Sequence, residues 1–132
     1  MSRQVDWKIE RLMAVPRVRH VVVATADGLV AAHSSDLERE GAEKLAAACA
    51  GLHSMSATVP DAIGEELVGM RQLMVDLGGM LLFVRTAAED TRLAVVTDPQ
   101  VDPAVIGTEM GVWVRQMGDA LAVARRTRTA AP

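Results

Sequence analysis

Three histidines are the side chains of this 132-residue chain best suited to binding a metal ion. His20 and His33 stand at the open end of a predicted β-hairpin, where they could face each other. A zinc site needs a further His, Cys or carboxylate nearby, and Asp36 is the candidate close in sequence. Because the chain has no H-x-x-x-H or C-x-x-C spacing, we favour structural roles for these histidines and expect no metal.

The single cysteine, Cys49, is the other residue that could carry chemistry. A nucleophilic cysteine needs a lowered pKa and a neighbouring base. Cys49 instead lies within Ala-Ala-Ala-Cys-Ala-Gly, where a small buried hydrophobic residue is expected. No serine stands in a G-x-S-x-G motif, and no glycine-rich phosphate or dinucleotide motif is present. We therefore predict that the chain is not an enzyme and binds no cofactor.

Composition excludes several other classes of protein. Half of the residues are hydrophobic, which argues against disorder. The net charge is −3 and only 2% of residues are aromatic, so we expect no binding to nucleic acid. A lone cysteine fits a reducing compartment. With no signal-peptide pattern and only short apolar runs, we expect a cytoplasmic location and no stable membrane insertion.

The hydrophobic pattern predicts an α+β domain with the element order α-β-β-α-β-β-β-α. Ser35 and Glu38 match a capping box that would begin the middle helix, and Asp102-Pro103 would begin the last one. Asp27-Gly28 and Gly78-Gly79 indicate tight hairpin turns. The predicted helices are 5–14, 35–55 and one from 102 onward, the predicted strands are 20–25, 29–33, 67–77, 80–84 and 93–96, and 58–64 is predicted as a loop.

Two of these elements are expected to pack against another chain. The strand 67–77 is long, and an unpaired edge of that length invites aggregation unless another chain covers it. The middle helix carries an unusual number of alanines, which would allow another backbone to approach closely. Its larger side chains are predicted to form one stripe, made of Leu45, Ala48, Leu52 and Met55. In the last helix, Ile106, Met110, Trp113 and Met117 are the predicted buried stripe, with Gly107, Gly111 and Gly118 beside it.

Several segments of the chain form a collinear set: 15–23, 25–32, 43–47, 51–52, 77–84 and 93–96, followed by a helix containing Glu109-Met110. Together they resemble the roadblock/dynein light-chain family, in its bacterial MglB-like branch. No single motif carries the resemblance, which extends from about Trp7 to Leu121. The chain is most similar to the stand-alone roadblock proteins of actinobacteria, which are encoded beside a histidine-kinase-like protein and a small Ras-like GTPase.

The resemblance implies a five-stranded antiparallel sheet of the roadblock, profilin-like type, with one helix on one face and two on the other. It implies one domain over 1–124, followed by a basic flexible tail at 125–132. It also implies a homodimer in which the third strands pair and the middle helices pack together. The implied interface residues are Leu67, Val68, Met70, Arg71, Leu73, Ala42, Leu45, Ala46, Cys49, Ala50 and His53.

By the same resemblance, the chain would be a non-catalytic homodimeric regulator or scaffold of a small Ras-like GTPase, either activating it or only recruiting it. A histidine-kinase-like protein would be a further partner. The alternative is a small-molecule-sensing or general protein-interaction domain without a GTPase. A buried pair of His20 and His33 with a pocket beside it would favour the sensing function.

Overall fold

The computed structural model describes residues 3–66 and 69–130. Within these ranges, no helix is long and apolar enough to cross a membrane. The helices are α1 (Arg3–Met13), α2 (Arg39–Ser56), α3 (Thr58–Ala62) and α4 (Pro103–Ala130), and the strands are β1 (Val18–Ala24), β2 (Val30–His33), β3 (Gln72–Asp76), β4 (Leu81–Thr86) and β5 (Arg92–Thr97).

The five strands form one sheet in the order β2-β1-β5-β4-β3, and every neighbouring pair is antiparallel. Helix α2 covers one face, and α1 and α4 cover the other. Strand β5 lies in the middle and all of its residues are buried, which explains why its apolar run does not alternate with polar residues. The predicted five-stranded antiparallel fold is confirmed.

Each face of the sheet has its own hydrophobic core. On the α1/α4 face, the predicted stripe of α4 is buried against β4 and β5. On the α2 face, the side chains that meet the sheet are the small ones, Ala42, Ala46 and Cys49. The predicted stripe of larger residues on α2 is wrong as a core face, because Ala48 and Met55 are exposed. Small residues bring the α2 backbone close to the sheet.

Of the two predicted helix caps, one is confirmed and one is wrong. Asp102 Oδ1 accepts the backbone N–H of Ala104 at 3.0 Å, at the start of α4. Helix α2 begins only at Arg39, and its N-cap, Glu38, makes no side-chain cap bond. Ser35 lies in the preceding turn, because the chain needs these residues to cross from the edge strand β2 to the face of the sheet.

The two glycine turns also differ from each other. At Gly78-Gly79 the N–H of Leu77 donates to the carbonyl of Met80 at 2.9 Å, which closes the predicted two-residue turn. At Asp27-Gly28 the predicted primed turn is wrong, because Gly28 has a positive φ, of 84°, and Asp27 does not. The Thr25 N–H donates to the Leu29 carbonyl at 2.8 Å, leaving a three-residue loop with glycine at the left-handed position.

The region between α2 and β3 departs furthest from the prediction. Residues 58–64 were expected to be a loop, but Thr58–Ala62 is helical and Ala57 keeps a helical φ/ψ of −66° and −23°. Pro60 lies in the first turn of α3, where a missing N–H costs nothing. The strand expected at 67–77 is too long, since β3 begins at Gln72 and Gly69 has a φ of 93°. Positions 67 and 68 lie outside the described residues.

The last helix is longer than expected. Helix α4 continues to Ala130, through most of the segment 125–132 that we expected to be a tail. The flexibility of that segment stays a prediction.

Candidate interaction surface

The free edge of β3 carries the main candidate for binding another chain. The Leu77 N–H donates to Met80 and the Arg71 carbonyl accepts from Thr86, so the backbone groups of odd-numbered residues point towards β4. Since the direction alternates along an antiparallel strand, the N–H and C=O groups of Gln72, Met74 and Asp76 point away from the sheet. They form a row that can bond to a further strand.

The side chains of β3 add apolar surface to this edge. Leu73 and Val75 are half-buried on the α2 face. Met74 is directed to the opposite face, opposite Phe83 of β4, and 55% of it is exposed. An edge strand with an exposed methionine at its centre is the type of edge that proteins cover by pairing.

A second exposed surface runs along the end of α2 and through α3. Met55, Val59 and Ile63 are 67%, 62% and 70% exposed. They are spaced four residues apart along backbone that stays helical across Ala57, so they share one side. We call these three residues the α2–α3 stripe. Apolar residues exposed together at this spacing are typical of a protein-binding surface.

The predicted interface residues separate into three groups. Ala42, Ala46 and Cys49 are fully buried against the sheet, so their assignment to an interface is corrected: they cannot contact another chain. The small residues of α2 allow close packing within the same chain. At Ala50, for example, the helix packs closely against the β1–β2 turn, since a Cβ on Gly28 would lie 3.1 Å from the Ala50 Cβ. The accessible candidates are Leu45, Ala50, His53, Met70 and Leu73, all half-buried, and the exposed Arg71; Leu67 and Val68 lie outside the described residues.

The chemistry of Cys49 follows from its burial. Desolvation raises the pKa of the Cys49 thiol to about 11, and the nearby Arg92 guanidinium only partly opposes this. The thiol is therefore protonated near neutral pH and is a poor nucleophile.

His20 and His33 each lie beside a different polar group. His20 Nδ1 lies 3.2 Å from Asp36 Oδ2, and His33 Nδ1 lies 2.8 Å from the Ser34 carbonyl. Over residues 3–66 and 69–130, no group of three or more His, Cys, Asp or Glu side chains could hold a metal ion. His53, on α2, lies apart from both.

Sequence reasoning missed two arginines that the structure makes prominent. Arg92 is 4% exposed, and its Nη1 donates to the carbonyls of Thr25 and Ala26 at 3.3 and 3.1 Å. Arg85 borders an open cavity of about 550 Å³ at the start of β3. The signal for Arg85 in the sequence is Gly111, one of the glycines beside the predicted stripe of α4, since a Cβ there would lie 3.0 Å from the Arg85 Nη1.

Comparisons with known proteins agree with this architecture. The family model of the Roadblock/LC7 domain matches residues 5–97. A Roadblock/LC7 domain from Streptomyces avermitilis is 34% identical, with a TM-score of 0.80 over 89% of this chain and 97% of that one. No curated protein sequence shows significant similarity to the chain.

Two solved MglB proteins share the fold. Myxococcus xanthus MglB is 12% identical, with a TM-score of 0.80 over 92% of this chain and 97% of that one. An MglB in a tetrameric arrangement is 17% identical, with a TM-score of 0.76 over 88% of this chain and 86% of that one. At these identities the likeness concerns the fold alone.

Proposed function

Because the chain belongs to the Roadblock/LC7 family, we propose that it is a non-catalytic homodimeric regulator or scaffold of a small Ras-like GTPase in a bacterial signalling module. The observation that carries the proposal is the free edge of β3, whose outward backbone groups have no strand to bond among the described residues 3–66 and 69–130. The α2–α3 stripe supports it, because exposed apolar side chains suit a protein partner. The class of partner comes from the resemblance of the sequence to the bacterial MglB-like branch of the family.

The first partner is a second copy of the chain, paired through β3. A two-fold axis through an antiparallel pair of edge strands places one residue opposite itself. Because Gln72, Met74 and Asp76 direct their backbone groups outward, the central residue of this set, Met74, is the one we place on the axis. Gln72 then lies opposite the partner's Asp76, where a side-chain amide and a carboxylate can bond.

The corrected interface keeps the half-buried and exposed residues near this edge. These are Met70, Arg71, Leu73 and Met74 from the strand and its approach, and Leu45, Ala50 and His53 from α2. His53 and Met70 border one cavity, which brings the end of α2 beside the start of β3. One surface on each chain can thus include both elements.

The resemblance implies that a small Ras-like GTPase is encoded beside the gene, and calorimetric titration against that GTPase tests the partner. We expect binding, with different affinity for the GDP-bound and GTP-analogue-bound forms, because a regulator must distinguish the two states. Single-turnover GTP hydrolysis by the GTPase, measured with and without the chain, distinguishes an activator, which increases the rate, from a recruiter, which does not. Absence of binding in both nucleotide states would contradict the proposal.

A variant of the α2–α3 stripe makes that titration specific. Val59→Asp places a charge in the stripe at an exposed position and should weaken binding about tenfold or more. Val105→Asp is the matched control, since Val105 is also an exposed valine, on α4. Equal affinities of the two variants would remove the stripe from the binding surface. A histidine-kinase-like protein, the further proposed partner, can be titrated in the same way.

A further inference from the structure

Two arginines from different elements meet on the α4 side of the sheet. Arg85 projects from β4 and Arg115 from α4. A Cβ placed on Gly111 would lie 3.0 Å from the Arg85 Nη1 and 3.5 Å from the Arg115 Nη1. Both guanidinium groups therefore occupy the space beside this one glycine, although like charges in proximity repel.

Helix α4 makes room for this arrangement at Gly111. One turn earlier, the Arg85 Nη1 donates to the carbonyl of Gly107 at 3.1 Å, where a Cβ would make only an ordinary contact, 3.9 Å from Nη2. A glycine inside a helix costs about 1 kcal/mol relative to alanine. The glycine at position 111 thus leaves space that the Arg85 guanidinium occupies.

The charge of Arg85 is fixed in position without being neutralised. Its second hydrogen-bond partner is the Gln72 Oε1, at 2.6 Å from Nη2, so both of its acceptors are uncharged. Among the ion pairs of the described side chains, none includes Arg71, Arg85 or Arg115. Burial, and then the proximity of Arg115, lower the pKa of Arg85, which is the electrostatic sign of a site that favours an anion.

An open cavity of about 550 Å³ adjoins Arg85 and has the volume of a small-molecule site. Arg71 lines it together with Arg85, Asp90 is its acidic lining residue, and Met70 and Val114 provide apolar surface. We propose that this cavity binds a small organic phosphate, with its phosphate on Arg85 and Arg115 and its organic part against Met70 and Val114. Arg71 and Arg85 line the cavity together with Asp90, and Arg115 adjoins Arg85 beside Gly111. This excess of positive charge favours a multiply charged phosphate over a single carboxylate.

Such a site would make the chain a ligand-responsive protein, whether or not it binds a GTPase. Four residues that border this cavity also belong to the proposed dimer surface, namely His53, Met70, Arg71 and Gln72, so the second copy would lie beside the cavity. A bound phosphate would therefore contact elements that pair with the second copy.

Titration calorimetry with inorganic pyrophosphate, in a buffer of low ionic strength, tests the site on the whole chain. We expect one site per chain. Arg115→Gln should weaken binding about tenfold, and Arg115 is exposed, so the fold should tolerate this change. The matched control is Arg39→Gln, an exposed arginine on α2, on the other face of the sheet, which should leave the affinity unchanged. Amide shifts of Gly107 and Gly111 in NMR spectra should follow the titration.

Gly111→Ala is the second variant, since its Cβ would displace the Arg85 guanidinium, and it should also weaken binding. Equal loss in the Arg115→Gln and Arg39→Gln variants would show general charge attraction and overturn the proposal. Absence of both heat and shifts in the unmodified chain would overturn it as well.

Discussion

At the scale of single residues, burial decides the roles of Cys49 and Arg92. Cys49, on α2, is fully buried against the sheet, and Arg92, on β5, is buried and donates to two carbonyls at the β1–β2 turn. The alanine-rich context of Cys49 was enough to predict its burial. The burial of Arg92 was not predictable, because it depends on the carbonyls of Thr25 and Ala26, which only the folded hairpin brings to that place.

The raised pKa of Cys49 predicts a pH dependence of stability. The folded pKa is about 11 and the unfolded one is near its ordinary value of about 8.5. Protonated thiol therefore stabilises the fold below about pH 8.5, and this contribution is lost as pH rises towards 11. Urea unfolding from pH 7 to 10 should show a decline that is smaller in Cys49→Ala. An identical decline in both proteins would show that Cys49 does not contribute.

Loss of Arg92 should destabilise the chain because two hydrogen bonds are lost: the Ala26 carbonyl loses its donor, and the Thr25 carbonyl keeps only the N–H of Gly28. We expect Arg92→Ala to lower the free energy of unfolding by about 1–3 kcal/mol. The control Arg39→Ala removes an exposed ion pair with Glu43 and should cost at most about 0.5 kcal/mol. Urea denaturation of the two variants measures the difference. Equal values would mean that the two bonds of Arg92 contribute nothing net.

At the scale of elements, local signals predicted helices and strands well and their boundaries less well. Asp102-Pro103 began α4 as expected, because the cap bond needs only neighbouring residues. The predicted cap at Ser35 is wrong because the path of the chain from β2 to α2 is set by the sheet. The expected third strand was too long, since its apolar residues could not reveal the left-handed backbone at Gly69. Two residues of the α2–α3 stripe, Val59 and Ile63, lie in the segment 58–64 that the sequence predicted as a loop, so the stripe was not predicted.

The direction of the backbone groups in β3 predicts which residues meet across a dimer. With Met74 on the two-fold axis, Met74→Cys should form a disulfide between copies under mild oxidation, within the usual separation for such a bond. Gln72→Cys and Asp76→Cys should cross-link poorly alone and readily when mixed. Non-reducing gel electrophoresis reads the result, and native Cys49 is too buried to interfere. Efficient self-linking at residue 72 or 76 instead would show a different register.

At the scale of the whole molecule, helices cover both faces of the sheet, and its two edges are β2 and β3. The free edge of β3 is the feature on which we base the proposed pairing with a second copy. The sequence could predict that an edge strand existed, from the chain order and the resemblance. It could not predict which of the proposed interface residues remain accessible, because the small residues of α2 suit either a sheet or a second helix. The structure shows that they face the sheet.

Light scattering on the purified chain tests the central claim, pairing through β3, most directly. We predict twice the chain mass of 14.1 kDa, and the mass of one chain for Met74→Pro. Proline at this position removes only an N–H that points to the free edge, which edge strands tolerate, and an unchanged circular-dichroism spectrum would confirm the fold. A single-chain mass for the unmodified protein at all concentrations, or a dimer that persists in Met74→Pro, would contradict the account.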